Sequence, residues 1–176
     1  VGNARHHREL LVRVGQQIEK LDQVRHGGNA VILAAHDDGR RGDLEWIDHG
    51  QPGRNRRLFG LASFRGALYV VGEDHGCYVQ RGGTEWSRCG ELPNYAHPMA
   101  VHHGRLFAGV LNPAGVHAYD GKAWTPLGNP YGSEDRCNQI HALQVYQGRL
   151  HATAWPEGRV AMLGERDKWI DRGRLG

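Results

Sequence analysis

Three cysteines, two methionines and three phenylalanines stand in 176 residues, and each scarcity narrows the possibilities. Cys77, Cys89 and Cys137 are odd in number and form no CxxC, so neither a disulfide framework nor a structural zinc site is indicated. Reduced thiols and a cytoplasmic location are expected, with one pair plus a free cysteine as the alternative. No run of 18 apolar residues occurs, hence no membrane span. G-x-S-x-G, a Gly-rich phosphate loop, HExxH and interpretable carboxylate pairs are all missing, which removes the common hydrolase and kinase mechanisms. The basic excess is small, 22 Lys plus Arg against 19 Asp plus Glu, and nearly all Arg. Its one dense cluster, Arg54, Arg56 and Arg57, fits a solvated loop, so nucleic acid is not an expected partner. The chain opens on Val, and a piece of a longer protein is expected.

Glycine, by contrast, is abundant at 26 residues, and the tryptophans are spaced with regularity. Trp46, Trp86, Trp124 and Trp169 are each followed four positions later by Gly, and lie 40, 38 and 45 residues apart. Upstream, a Gly-x-Leu step at Gly66, Gly104 and Gly148 precedes its Trp by 20, 20 and 21 residues. A second glycine follows at Gly76, Gly115 and Gly158. Each unit divides into four short strands. The first strands are Leu61 to Phe64, Met99 to Val101 and Leu143 to Tyr146; their hairpin partners, at Leu68, Leu106 and Leu150, alternate with period two. The third strands are Cys77 to Gln80, Val116 to Tyr119 and Arg159 to Leu163, and the Trp strand closes the unit. Its glycine suits a backbone leaving the sheet at positive φ. Four strands per roughly 40 residues are the signature of a propeller blade.

The first unit departs from this pattern. Leu11, Val14, Ile18 and Leu21 recur at helical spacing, which predicts a helix over about residues 6–24 that caps the array or forms a short coiled-coil seam. An inner strand, aligning "LDQVRHGG" with "LQVYQG", is the competing arrangement. The domain plan is a helix and linker over 1–26 and blades over about 27–53, 54–92, 93–130 and 131–176.

The steps "RGALYVVGE", "HGRLFAGVL" and "QGRLHATAW", followed by aromatic and Trp strands, resemble the kelch-type blades of galactose-oxidase-like β-propellers over about residues 26–176. One departure is clear: the glycine doublet of that family is reduced to Gly72, Gly109 and, in the last unit, Thr153. The resemblance implies an all-β propeller or partial propeller, most often a binding platform. Four units could close a small ring, or belong to a larger ring or an open array completed by further blades or a homo-oligomer; an open array is favoured.

Chemistry is expected where the innermost strands begin, because equivalent positions converge at the channel mouth. Two units carry Asn-x-x-His at one address, Asn94 with His97 and Asn138 with His141, while the second unit has Phe59 there and Asn55 one residue out of step. The four side chains could form a polar ligand site, with His97 and His141 as ligands of a divalent metal. A plainer role is satisfying backbone groups in repeated loops. A metal enzyme would need a further ligand and a base, for which Glu134 and Asp135 are nearby. Trp155, the fifth Trp, breaks the repeat in a loop, where it could stack on a sugar or anchor a protein. The leading expectation is a non-enzymatic recognition module for a protein or a carbohydrate-like or other small polar ligand. A metal-assisted lyase or hydrolase, and a half-propeller oligomerisation scaffold, are the alternatives.

Overall fold

The computed structural model describes residues 9–14, 17–26, 29–36, 45–132 and 136–174. Its strands form four antiparallel four-stranded sheets, each laid down in chain order. The first contains β1 (Glu9–Val14), β2 (Gln17–His26), β3 (Asn29–His36) and β4 (Glu45–Asp48), and the second β5 (Leu58–Phe64), β6 (Ala67–Gly72), β7 (Gly76–Gln80) and β8 (Ser87–Glu91). The third contains β9 (Ala96–His102), β10 (Arg105–Val110), β11 (Gly115–Tyr119) and β12 (Trp124–Pro126). The fourth contains β13 (Gln139–Tyr146), β14 (Arg149–Trp155), β15 (Arg159–Leu163) and β16 (Trp169–Arg174). Strands β5, β9 and β13 lie next to one another as the inner strands, with β1 beside β5. Among the described residues no helix is long and apolar enough to cross a membrane.

Among the described residues of the range 6–24 the expected helix is not formed: Glu9–Val14 and Gln17–His26 are strands, and residues 6–8 and 15–16 lie outside those described. The helical spacing of four apolar residues lost to a stronger competitor. β2 pairs with β3 from Lys20↔Ala35 to His26↔Asn29, so its backbone groups are satisfied by a ladder rather than by a helix.

The hairpins that begin the other three sheets share one turn. Arg65 and Gly66 (φ 51° and 73°), His103 and Gly104 (44° and 70°), and Gln147 and Gly148 (48° and 71°) are two-residue loops with both residues left-handed. That is the mirror-image turn whose twist matches paired strands, and a glycine at its second position removes the steric cost.

Sheets bury their faces on one another. Between the second and third lie Phe64, Tyr69, Val71, Leu106, Val110 and Tyr119, with Phe64, Tyr69 and Tyr119 rings 5.6–6.4 Å apart. Between the third and fourth lie Phe107, Val116, Ile140, Leu143 and Leu150. The other face of the second sheet, with Leu58, Val70 and Trp86, meets the segment leaving the first, where Trp86 Nε1 donates to the His49 carbonyl (2.7 Å). At the hairpin tips, Arg65 donates to the Gly104 carbonyl (3.3 Å), and Arg105 grips both oxygens of Asp167.

The W-x-x-x-G phrase is thereby explained in part. All four of its glycines have positive φ, and Gly90 does a second job: a Cβ there would come 2.6 Å from Cδ1 of Trp124 in the next sheet. Trp124 thus rests on the glycine corner of the unit before it, whereas a Cβ at Gly50 would meet Thr84. Gly128, also left-handed, has open space at its Cβ.

The face each sheet turns toward the next changes along the chain. It presents Tyr69, Val71, Cys77 and Val79 in the second sheet and Phe107, Gly109, Val116 and Ala118 in the third. By register the fourth presents His151, Thr153, Val160 and Met162, all partly exposed.

Gly90→Ala adds a clash to backbone strain and should cost about 2–4 kcal/mol in urea unfolding, whereas Gly128→Ala, facing strain alone, should cost about 1 kcal/mol. Equal losses in the two variants would refute the contact with Trp124.

Candidate functional site

The site lies where the inner strands begin, and three irregularities in pairing create it. In β5 the register skips Phe59, between Leu58↔Gly72 and Gly60↔Val71. In β13 it skips His141, between Ile140↔Ala154 and Ala142↔Thr153. In β9 it breaks between Ala96↔Val110 and Met99↔Ala108, so His97 and Pro98 oppose Gly109. Each of these three sheets thus carries a β-bulge at the same address, a device that re-aims a side chain away from the regular alternation.

The re-aimed rings form a row across three sheets. Phe59 lies 4.1 Å from His97 between ring centroids, His97 lies 6.1 Å from His141, and His141 lies 6.3 Å from Trp155 with planes 22° apart. Trp155 ends β14 opposite Gln139 and is 50% exposed, so the row finishes in solvent. His141 Nε2 is held by Gln139 Oε1 at 2.7 Å. At the other end the Arg57 guanidinium stands 6.0 Å over the Phe59 ring. Beside the row, Tyr95 is exposed and meets the His75 ring edge-on at 5.2 Å.

Arg57 is positioned by charge. Its Nε donates to Glu73 (2.8 Å), while the backbone N–H of Arg56 donates to the other oxygen of the same carboxylate (2.9 Å). The Arg57 hydrogen bond holds the Glu73 carboxyl below the usual carboxylate range, against the opposing effect of burial.

The structure brings together His97, His141 and Trp155 and leaves the asparagines in other roles. Asn94 Nδ2 donates to the Asn112 carbonyl and its Oδ1 accepts from Tyr95 N–H, both at 2.7 Å. Asn55 is the fully buried counterpart in the second sheet, bonding the Pro52 carbonyl and Asp74 N–H. Asn138 joins its loop through backbone, donating to Trp155 O and accepting from Asn112 N. Glu134 and Asp135 lie outside the described residues. Among those described, no group of three or more His, Cys, Asp or Glu is placed to hold a metal ion. Cys77, Cys89 and Cys137 form no disulfide. The neighbouring Cys89 and burial together push the Cys77 thiol well above its usual range.

Sequence reasoning missed Phe59 and Arg57. Phe59 occupies the address of His97 and His141, and the property the three share is a flat π face.

No family model and no curated protein matches the chain. Solved structures do. The crystal structure of a nidogen/laminin complex contains a chain matched at TM-score 0.65 with 13% identity, over 89% of this chain and 59% of that one. The chain folds as β-propeller blades. A computationally designed protein, Ika8, matches at TM-score 0.60 and 11% identity, over 94% of this chain and 61% of that one. A catalytically inactive virginiamycin B lyase from Staphylococcus aureus, solved with quinupristin, matches at 0.53 and 10%, over 93% and 76%. The chain spans about three fifths of the length of the first two of these matched chains. At such identities the likeness concerns fold alone.

Because Glu73 has a folded-state pKa below its unfolded one, its ion pair supports the blade above the ordinary carboxylate range and is lost as pH falls through it. Glu73→Gln should therefore flatten the loss of stability between about pH 5 and pH 3 in urea titrations. An unchanged acid limb would show that the pair contributes nothing.

Proposed function

We propose that the chain is a recognition module, a kelch-like propeller unit without catalytic activity, that takes a protein segment across the mouth of its inner strands. The observation that carries this reading is the ring row Phe59, His97, His141 and Trp155, which crosses three sheets and ends in a half-exposed tryptophan. Tryptophan and tyrosine held on rigid backbone are the side chains that supply most binding energy in protein interfaces. Arg56 and Arg57 share the single carboxylate of Glu73, which leaves one net positive charge at this end, suited to an acidic or carbonyl-rich group of the partner. An extended peptide is long enough to cross all four rings, whereas a single sugar ring would stack on Trp155 alone. The three thiols, none in a disulfide, support a cytoplasmic setting as part of the same reading. The oligomerisation scaffold is less favoured, because the outward face of the fourth sheet carries His151 and Thr153 where its predecessors carry buried apolar groups.

Linear peptides selected by display against the protein provide the test. Trp155→Ala and His97→Ala/His141→Ala should each weaken their binding by at least about tenfold, with unchanged melting temperature for Trp155→Ala because that ring is exposed. Peptides indifferent to both variants would sink the reading. Stoichiometric metal in protein purified without a histidine tag, lost in the His97→Ala/His141→Ala variant, would favour the metal-assisted lyase or hydrolase instead.

A further inference from the structure

At the opposite end of the inner strands, a cleft of about 320 Å³ opens between the hairpin tip of the third sheet and the fourth sheet. His102, His103 and Arg105 form one wall; Arg149 and the connection Gly164–Asp167 form the other. That volume lies at the lower end of the range for small-ligand pockets, about 300–1,000 Å³.

The walls hold five basic side chains and two acids, and the acids do not cancel the charge. Asp167 accepts both guanidinium nitrogens of Arg105, which also lies 5.0 Å over the Phe107 ring. That pair is a rigid, self-neutralised strut between the sheets, and the Arg105 hydrogen bond holds Asp167 below the usual carboxylate range. Glu165 alone remains against Arg149 and Arg166, neither of which pairs with a carboxylate among the described residues. Arg166 and Asp167 are consecutive left-handed residues (φ 55° and 58°), a conformation that costs energy outside glycine and fixes how this wall is presented. His102 lies partly buried in the opposite wall. Burial first, then the neighbouring His103 and Arg105, push its imidazole below the usual range, toward the neutral form.

We propose that this cleft binds the oxyanion of a small phosphate or sulfate ester, gripped by Arg149 and Arg166, with the imidazoles of His102 and His103 at its edge. Guanidinium forks match tetrahedral oxyanions in geometry and charge. The site is independent of the ring row.

Three probes with one body separate the possibilities: glucose 6-phosphate, glucose 6-sulfate and glucose, titrated while the imidazole resonances of His102 and His103 are followed by NMR. At least one ester should shift both in a saturable way, the tighter of the two naming the source, while glucose leaves them still. Arg149→Gln/Arg166→Gln should lose at least about tenfold in affinity for that ester. Its melting temperature should stay that of the wild type, since both side chains are exposed. Trp155→Ala should bind the ester normally. Unmoved imidazoles with both esters, or wild-type affinity in the double variant, would overturn the proposal.

Discussion

Everything at the mouth depends on how closely neighbouring sheets approach there. Gly60 of β5 lies against the His97 carbonyl of β9, and Gly109 of β10 lies against Ile140 of β13, where a Cβ would come 2.5 Å from Cγ2. Glycine is required at these two positions by contact rather than by backbone angle. With any side chain in the gap, the inner strands would move apart, and Phe59 and His97 could no longer stand 4.1 Å from each other. A packing constraint in the core is therefore what sets the spacing of rings at the surface.

The bulges then turn repetition into a site. A regular strand would send the residue at this address to one sheet face, to be buried against the next blade or left in its own. The extra residue in each of β5, β9 and β13 frees one side chain from that alternation, at the same height in three sheets. Repeats supply equal heights, and bulges supply a common direction. Identity is then free to vary, which is why Phe can stand where two neighbours have His.

This also explains what the sequence disclosed. The strand order, the two-residue turns and the positive-φ glycines follow from Gly-x-Leu and W-x-x-x-G, because turns and sheet exits impose hard local demands on residue type. His97, His141 and Trp155 were visible as candidates through a shared address and a broken repeat. The loop duties of Asn94 were foreseeable in kind but not in partner, since Asn112 lies 18 residues away. The bulges left no mark, because an unpaired residue is a property of two strands in register and not of either alone. The first unit misled for a related reason: the spacing of Leu11 to Leu21 suits a helix in isolation, and only the pairing of β2 with β3 decides against it.

The shift of the forward faces, from Tyr69 and Val71 through Phe107 and Gly109 to His151 and Thr153, has a consequence for engineering. Turn glycines and tryptophans would permit units to be appended in any number. The composition of the receiving face decides whether an added unit would stay docked, and on the fourth sheet a hydrated imidazole and a hydroxyl would have to give up water to accept it. Docking an appended unit against that face would mean rewriting it first.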